Sequence, residues 1–319
     1  MSFLTKLPRD CYDNDAFAGF AIGSDFTLGN GKALAWMSQL AYETDEADKM
    51  KDILRSWGLD FGGLIVKEVG GVLPIARTHC FVAGGRGATF VAFAGTDPVV
   101  VANWITDFDA HIGETETAQG FQVAADAVWP DVKSSMRALA PAGTDVIVTG
   151  HSLGGALAVL TASRLVDENV ARVSAIYTFG MPRPASKDYA DQRYNPRLGS
   201  RTYRLVHGCD LVPTVAPSGL GLHHVGRYLH CERGAKFDRA KMDAEPGSDL
   251  PPFFKGMAEA LKDYLHGSSM NLPHRLELAA ALELGKGPPG MRTDVGGILI
   301  ELLPPRLRDH MPDRYIGAF

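Results

Sequence analysis

One stretch of the sequence, Asp145–Asp167, constrains the fold of this chain most strongly. It begins with a short run of β-branched and other apolar residues, bends at a Gly-His-Ser-Leu-Gly segment around Ser152, and continues into a run rich in alanine and leucine. That order predicts a buried strand, a tight turn and a helix. Residues 146–163 contain no Asp, Glu, Lys or Arg, but the glycine-rich break in their middle favours two buried elements over one membrane-spanning helix.

Ser152 stands at the centre of a G-x-S-x-G pattern. A serine on a sharp strand-to-helix turn has a strained backbone that exposes its hydroxyl, and the flanking glycines let strand and helix approach closely. A helix that begins at Leu153 supplies free N–H groups and a positive dipole end, both of which favour a developing oxyanion. Ser152 is therefore a candidate nucleophile, and an idle serine in a glycine-rich connection is the alternative.

The composition is ordinary for a globular protein, with 45% hydrophobic and 22% charged residues in a chain of 319. A net charge of −5 provides no basic surface, so we expect no nucleic-acid partner. Charged residues interrupt the N-terminal segment where a secretory signal needs an apolar core, which favours a cytoplasmic location or export without a visible signal peptide. The four cysteines form no C-x-x-C pair, and we expect neither a metal nor another cofactor.

Helical and strand-like patterns alternate along the chain, which predicts an α/β fold with a mainly parallel sheet. Predicted helices cover 32–42, 45–57 and 121–139, the last of them interrupted or kinked near Pro130, and predicted strands cover 64–66, 78–83, 89–94, 173–179 and 202–206. The glycine-rich residues 84–87 predict a hairpin turn.

The chain is interpreted as one domain, 1–319, whose character changes after Cys231. This domain is divided into an N-terminal arm (1–30), a core (31–230), an insertion or cap (231–306) and a final segment (307–319).

Another predicted helix begins at Asp97-Pro98, where Val100, Trp104 and Phe108 fall on one apolar face. Such a face is as typical of an ordinary core helix as of a functional one.

A serine nucleophile needs a base and usually a carboxylate that orients the base. In α/β-hydrolases the carboxylate follows the serine in sequence and the histidine comes last. Asp210 fits this order, because it follows the predicted strand 202–206 after a short loop and precedes Pro213. Asp188 and Asp191 are alternatives in a charged stretch typical of a solvated helix, and a plain loop carboxylate is the other interpretation of Asp210.

The base is not determined by spacing. Six histidines follow Asp210 in the chain: His223, His224, His230, His266, His274 and His310. Any of them could reach the serine in a folded chain, so this part of the site stays open at the level of residue pattern.

Six segments form a more specific pattern: Phe93-Ala94-Gly95-Thr96, Asn103-Trp104-Ile105 with Asp107, Gln119-Gly120-Phe121, Gly150–Ala158, Thr178–Arg183 and Asp210-Leu211-Val212-Pro213. Together they resemble the class 3 lipases, the family of fungal lipases and their bacterial relatives, over most of residues 35–230 and again at the C-terminus. The chain departs from that family at Ala94, where relatives often carry arginine, and at Ala118, where they frequently carry histidine.

The resemblance implies an α/β-hydrolase fold, with a mainly parallel central sheet flanked by helices, a lid helix and a C-terminal cap or insertion. It also implies that Ser152 is the nucleophile, that Asp210 is the acid, and that the backbone N–H groups of Thr96 and Leu153 form the oxyanion hole. In relatives the catalytic histidine lies late, in an Asp-His segment before an aromatic anchor and a short helix. Residues 309–316 resemble that segment, so His310 is favoured as the base and His274 is the alternative.

The activity implied by the resemblance is hydrolysis of carboxylic esters of acylglycerols through an acyl-enzyme, with an ester or lipid as the substrate. The helix with Val100, Trp104 and Phe108 is then the lid, whose opening exposes an apolar face to a lipid–water interface. Phospholipase A1 activity, a carboxylesterase for soluble esters and a non-catalytic α/β-hydrolase binding module are the alternatives.

Overall fold

The structure is a computed structural model that describes residues 5–69, 77–96, 117–139, 143–215, 221–243, 303 and 305–319. Nine strands lie in these ranges: β1 (Asp60–Glu68), β2 (Arg77–Gly85), β3 (Ala88–Phe93), β4 (Asp145–His151), β5 (Val173–Phe179), β6 (Ala185–Ser186), β7 (Thr202–His207), β8 (Leu222–His223) and β9 (Arg227–Cys231). Seven of them form one sheet in the order β1-β2-β3-β4-β5-β7-β9, and β6 pairs with β8.

The central sheet is mainly parallel, which confirms the prediction from the alternating pattern. The five strands from β3 to β9 form four parallel pairs, whereas β2 runs antiparallel to both β1 and β3. Every residue of β4, β5 and β7 is buried, because these strands are covered on both faces. Parallel strands end at the same edge of a sheet, so the loops that follow β3, β4, β5 and β7 lie close together there.

Helices cover the two faces of the sheet. The described α-helices are α1 (Leu28–Leu40), α2 (Ala47–Ser56), α3 (Gln119–Leu139), α4 (Leu153–Asp167), α5 (Asn195–Leu198), α6 (Pro305–Arg308) and α7 (Pro312–Gly317). Residues of β3 alternate between two apolar cores: Val91 and Phe93 pack with α3 and α4, while Phe90 and Ala92 pack with α1 and α7. Among these helices, none combines the length and the apolar character that a membrane span requires.

Several predicted bounds are wrong by a few residues. Helix α1 begins at Leu28 rather than Lys32, because the Thr27 hydroxyl accepts a hydrogen bond from the Asn30 N–H at 3.0 Å and caps the helix. Strand β1 extends well beyond the apolar run 64–66, since it pairs with β2 from Asp60 to Glu68 except for an irregularity between Phe61 and Gly63. Helix α3 runs through Pro130 without interruption.

Two local predictions are confirmed. Strand β5 has the predicted bounds. The hairpin prediction also holds, because β2 and β3 pair up to Gly85 and Ala88 and leave Arg86 and Gly87 as a two-residue turn with φ of 49° and 81°. The predicted helix from Asp97 and most of the segment 231–306 lie outside the described residues.

Candidate active site

Ser152 lies at the turn between β4 and α4. Its φ of 57° and ψ of −131° place the backbone in the strained region expected for a serine at such a turn. A Cβ on Gly150 would lie 2.1 Å from the Gly154 carbonyl oxygen, and a Cβ on Gly154 would lie 2.5 Å from the Phe93 carbonyl oxygen. The turn can therefore form only with glycine at both positions, which is the steric reason for the G-x-S-x-G pattern.

Asp210 and His310 form a buried pair, although 100 residues separate them in sequence. His310 Nδ1 lies 2.8 Å from Asp210 Oδ2. The same oxygen accepts a hydrogen bond from the Tyr315 hydroxyl at 2.5 Å, and Asp210 Oδ1 accepts one from the Val212 N–H at 2.9 Å. Burial, together with the nearby Asp210 charge, raises the pKa of Tyr315 well above its usual value, so the phenol stays protonated and donates.

The remaining ring nitrogen of His310 is directed away from Asp210. His310 Nε2 and Ser152 Oγ are both buried, and neither forms a hydrogen bond within the described residues. The end of β5 lies against both residues. The Phe179 carbonyl accepts a hydrogen bond from the Ser152 N–H at 2.8 Å, and a Cβ on the next residue, Gly180, would lie 2.9 Å from His310 Nδ1. The serine and the histidine therefore both lie against the end of β5. In a structure without substrate, catalytic hydrogen bonds are often long and tighten only when the substrate binds.

Asp309 connects the loop of the acid to the segment of the base. Its Oδ2 accepts a hydrogen bond from the Cys209 N–H at 2.8 Å and another from Arg233 Nη2 at 2.6 Å. A Cβ on Gly208, whose φ is 55°, would lie 2.5 Å from the same oxygen. The residue before His310 is therefore tied to the residue before Asp210, and the partly exposed Arg233 supplies a positive charge to the buried carboxylate.

Of the two residues proposed for the oxyanion hole, Leu153 directly follows Ser152, and Thr96 follows a glycine that lies against the serine. Leu153 is the first residue of α4, so its N–H has no acceptor within the helix. Thr96 follows β3, and its neighbour Gly95 lies against the serine, since a Cβ there would be 2.7 Å from Ser152 Cβ. The lid candidates Val100, Trp104 and Phe108 lie outside the described residues.

The other candidate histidines that the structure describes, and the carboxylate of Asp191, have partners other than Ser152. His224 Nε2 lies 2.8 Å from the Pro213 carbonyl oxygen, and His230 Nε2 lies 2.8 Å from the Gly208 carbonyl oxygen, so both rings bind backbone. His223 lies in β8, and Asp191 forms an exposed ion pair with Lys187. His266 and His274 are outside the described residues.

Sequence reasoning missed two contacts that hold the pair of Asp210 and His310. For the hydrogen bond from Tyr315 to Asp210, the only indication in the sequence is the aromatic residue expected in the last segment. The ion pair of Arg233 with Asp309 joins residues 76 positions apart, and nothing in the local pattern around Arg233 indicates it. In the part of the chain that the structure describes, no group of three or more His, Cys, Asp or Glu could hold a metal ion.

Comparison with known proteins gives a consistent result. Residues 90–219 match the profile of the family "Lipase (class 3)". A secreted mono- and diacylglycerol lipase of Malassezia globosa is 30% identical over 120 residues, which are 36% of this chain and 38% of that protein. A triacylglycerol lipase of Ricinus communis is 27% identical over 239 residues, covering 56% of this chain and 44% of that protein. The matched part is thus less than half of either relative.

The fold is also that of known lipases. The crystal structure of a lipase from Rhizopus microsporus var. chinensis superposes with a TM-score of 0.54 at 20% identity, covering 73% of this chain and 88% of that one. At this level of identity the similarity concerns the fold, which is that of an α/β-hydrolase with a mostly parallel central sheet flanked by helices.

Proposed function

We propose that the chain hydrolyses carboxylic ester bonds of acylglycerols with a triad of Ser152, His310 and Asp210, in agreement with the match of residues 90–219 to the class 3 lipase family. The contact between His310 Nδ1 and Asp210 Oδ2 at 2.8 Å carries this proposal. It leaves Nε2 as the free basic nitrogen, in a site that also contains a serine on a strained turn. The names of the matched relatives support acylglycerols as the substrate class.

Acylation would begin with attack of Ser152 Oγ on the ester carbonyl carbon while the hydroxyl proton passes to His310 Nε2. The carbonyl oxygen becomes an oxyanion that the N–H groups of Thr96 and Leu153 stabilise. Collapse of this tetrahedral intermediate breaks the bond to the alcohol, which takes the proton from His310. Asp210 stabilises the imidazolium, and the hydrogen bond from Tyr315 holds the Asp210 carboxylate in place.

Deacylation repeats the sequence with water as the attacking group. His310 accepts one proton of the water as its oxygen bonds to the acyl carbon, and the ester bond to Ser152 then breaks. The serine oxygen recovers the proton from His310, and the fatty acid leaves. Both half-reactions use the same base, so the proposal depends on one histidine as strongly as on one serine.

The test is hydrolysis of a p-nitrophenyl ester and labelling by a fluorophosphonate, with the labelled peptide identified by mass spectrometry. Replacing Ser152 by alanine should lower kcat on the order of 10⁶-fold and abolish labelling. Ser163→Ala, in the same helix, is the matched control and should retain both. Labelling of another residue, or substantial activity in Ser152→Ala, would contradict the proposal. A wild-type chain that neither hydrolyses the ester nor reacts with the fluorophosphonate would support the binding-module alternative.

We further propose that the enzyme acts at a lipid–water interface. The amphipathic pattern of Val100, Trp104 and Phe108, directly after β3, supports a lid with an apolar face. The rate should therefore rise as a triglyceride passes its solubility limit. A plain hyperbolic response through that limit would instead support a carboxylesterase for soluble esters, and preferential release of the sn-1 chain of a phospholipid would support phospholipase A1.

A further inference from the structure

His151 lies at the end of β4, directly before Ser152, and its buried ring joins two distant parts of the chain. Its Nε2 lies 2.7 Å from the carbonyl oxygen of His310. Its Nδ1 lies 2.7 Å from the hydroxyl oxygen of Tyr42. The rings of His151 and His310 are also in contact, with centroids 4.6 Å apart. Both nitrogens of His151 are therefore engaged, one of them by the backbone of the proposed base.

The direction of these hydrogen bonds follows from the protonation state of His151. A carbonyl oxygen can only accept, so Nε2 carries a hydrogen and donates it to His310. Burial lowers the pKa of His151 well below its usual value, so the ring is neutral. A neutral imidazole with hydrogen on Nε2 has a lone pair on Nδ1, and the Tyr42 hydroxyl must therefore be the donor to Nδ1.

From this geometry we infer that Tyr42 and His151 are positioning residues, which hold the backbone of His310 so that its imidazole faces Ser152. The inference rests on the proposed function. Asp210 fixes the side chain of His310 at Nδ1, and His151 fixes the backbone of the same residue at its carbonyl oxygen. Two separate points of attachment restrict both the position and the orientation of the ring, whereas one would leave it free to pivot.

Tyr42 controls this arrangement through the tautomer of His151. It lies in the 3-10 turn Ala41–Glu43 that follows α1, and a Cβ on Gly95 would lie only 2.5 Å from its hydroxyl oxygen. Without the hydroxyl, Nδ1 of His151 would be a buried acceptor that has lost this donor. The other tautomer of His151, with its hydrogen on Nδ1, would remove this unpaired acceptor. Its Nε2 would then direct a lone pair at the His310 carbonyl oxygen and repel it.

The first test is Tyr42→Phe, which removes the hydroxyl and keeps the ring. We expect kcat for the p-nitrophenyl ester, and the rate constant for fluorophosphonate labelling, to fall roughly tenfold while KM stays within about twofold. Tyr12→Phe is the matched control, because Tyr12 is buried in the same core and donates to Glu43 Oε1 at 2.9 Å. It loses a comparable hydrogen bond, and its kcat should stay within about twofold of wild type.

The second test shows whether Tyr42 acts through His151. The amide N–H of His151→Gln can still donate to the His310 carbonyl, whereas His151→Leu cannot, so the glutamine variant should keep the higher kcat. Tyr42→Phe should cause no further loss of kcat in the His151→Leu background, since its effect requires the imidazole. The thermal midpoint of each variant, measured in parallel, shows that the compared proteins are folded at the assay temperature.

The outcomes separate this inference from the proposed function. Equal kcat for Tyr42→Phe and Tyr12→Phe, or losses that simply multiply in the double variant, would overturn the role of Tyr42 as a positioning residue acting through His151. Equal kcat for His151→Gln and His151→Leu would overturn the role of the bond to His310. A wild-type chain whose Ser152 does not react with the fluorophosphonate would overturn the proposed function and this inference with it.

Discussion

Ser152 is held by the shape of the backbone around it, whereas His310 is held by polar contacts from several distant parts of the chain. The serine turn is formed by consecutive residues between β4 and α4, with glycines in close backbone contact on both sides. Sheet pairing fixes β4 between β3 and β5. No polar side chain is needed to give the serine its conformation.

The histidine segment, residues 305–319, contains only two short helices, α6 and α7. Its position depends on contacts to the loop of Asp210, to His151 and to Arg233, and on a backbone hydrogen bond from the Phe237 N–H to the Ala318 carbonyl at 2.8 Å. The nucleophile should therefore be sensitive to added volume, and the base should be sensitive to pH and to the loss of single polar atoms.

Gly150→Ala tests the serine side of this comparison and has the largest expected effect on stability. The new Cβ would overlap backbone atoms of Gly154 at 2.1 to 2.3 Å, which no side-chain movement can relieve. We expect a loss of about 3 kcal/mol or more in the free energy of unfolding, measured by urea denaturation. Gly23→Ala is the control, because a Cβ there meets no atom within 4 Å and should change stability by less than about 0.5 kcal/mol. Equal stability of both variants would show that the turn is not shaped by close packing.

As the pH falls, we expect the histidine segment to detach from the rest of the domain before the serine turn is disturbed. Burial lowers the pKa of His151 and of His207, whose Nδ1 lies 3.4 Å from the Asp309 carbonyl oxygen. Well above pH 6.5, the usual pKa of histidine, both rings are neutral whether the segment is docked or open. Below that value the two histidines bind protons in the open state but stay neutral in the docked state. The free energy of docking therefore weakens by up to about 1.4 kcal/mol per pH unit for each ring.

Hydrogen exchange measures this difference directly. Between pH 6.5 and 5.0, amide protection corrected for intrinsic exchange should fall in residues 305–319 and stay nearly constant in β4 and α4. A uniform loss across all three regions would mean that the two parts of the site are held in the same way. His207→Gln should reduce the pH dependence in the histidine segment, because the amide does not titrate.

The same contrast explains which parts of the structure could be predicted from sequence. The strand, turn and helix around Ser152 are encoded by adjacent residues, and the hairpin at Arg86-Gly87 and strand β5 are likewise local features. Asp210 could be proposed because it lies in the loop after a strand, β7, that ends at the same edge of the sheet. Each of these predictions needs only a short window of sequence.

The base and its supports are not local. Spacing left six histidines equivalent, and only the family resemblance favoured His310. The roles of Tyr42, His151 and Arg233 depend on distances between residues far apart in the chain, so no periodicity or motif could indicate them. The start of α1 was missed for a different reason, because the cap formed by Thr27 outweighs the unfavourable propensity of the two glycines that follow.

The assignment of the base is the central claim, and parallel kinetics of His310→Ala and His274→Ala test it most directly. kcat/KM for a p-nitrophenyl ester is measured for both variants alongside the thermal midpoint. We expect a loss on the order of 10⁶-fold in His310→Ala and a change within about threefold in His274→Ala. A large loss in His274→Ala, with His310→Ala folded and close to wild-type activity, would contradict the triad of Ser152, His310 and Asp210.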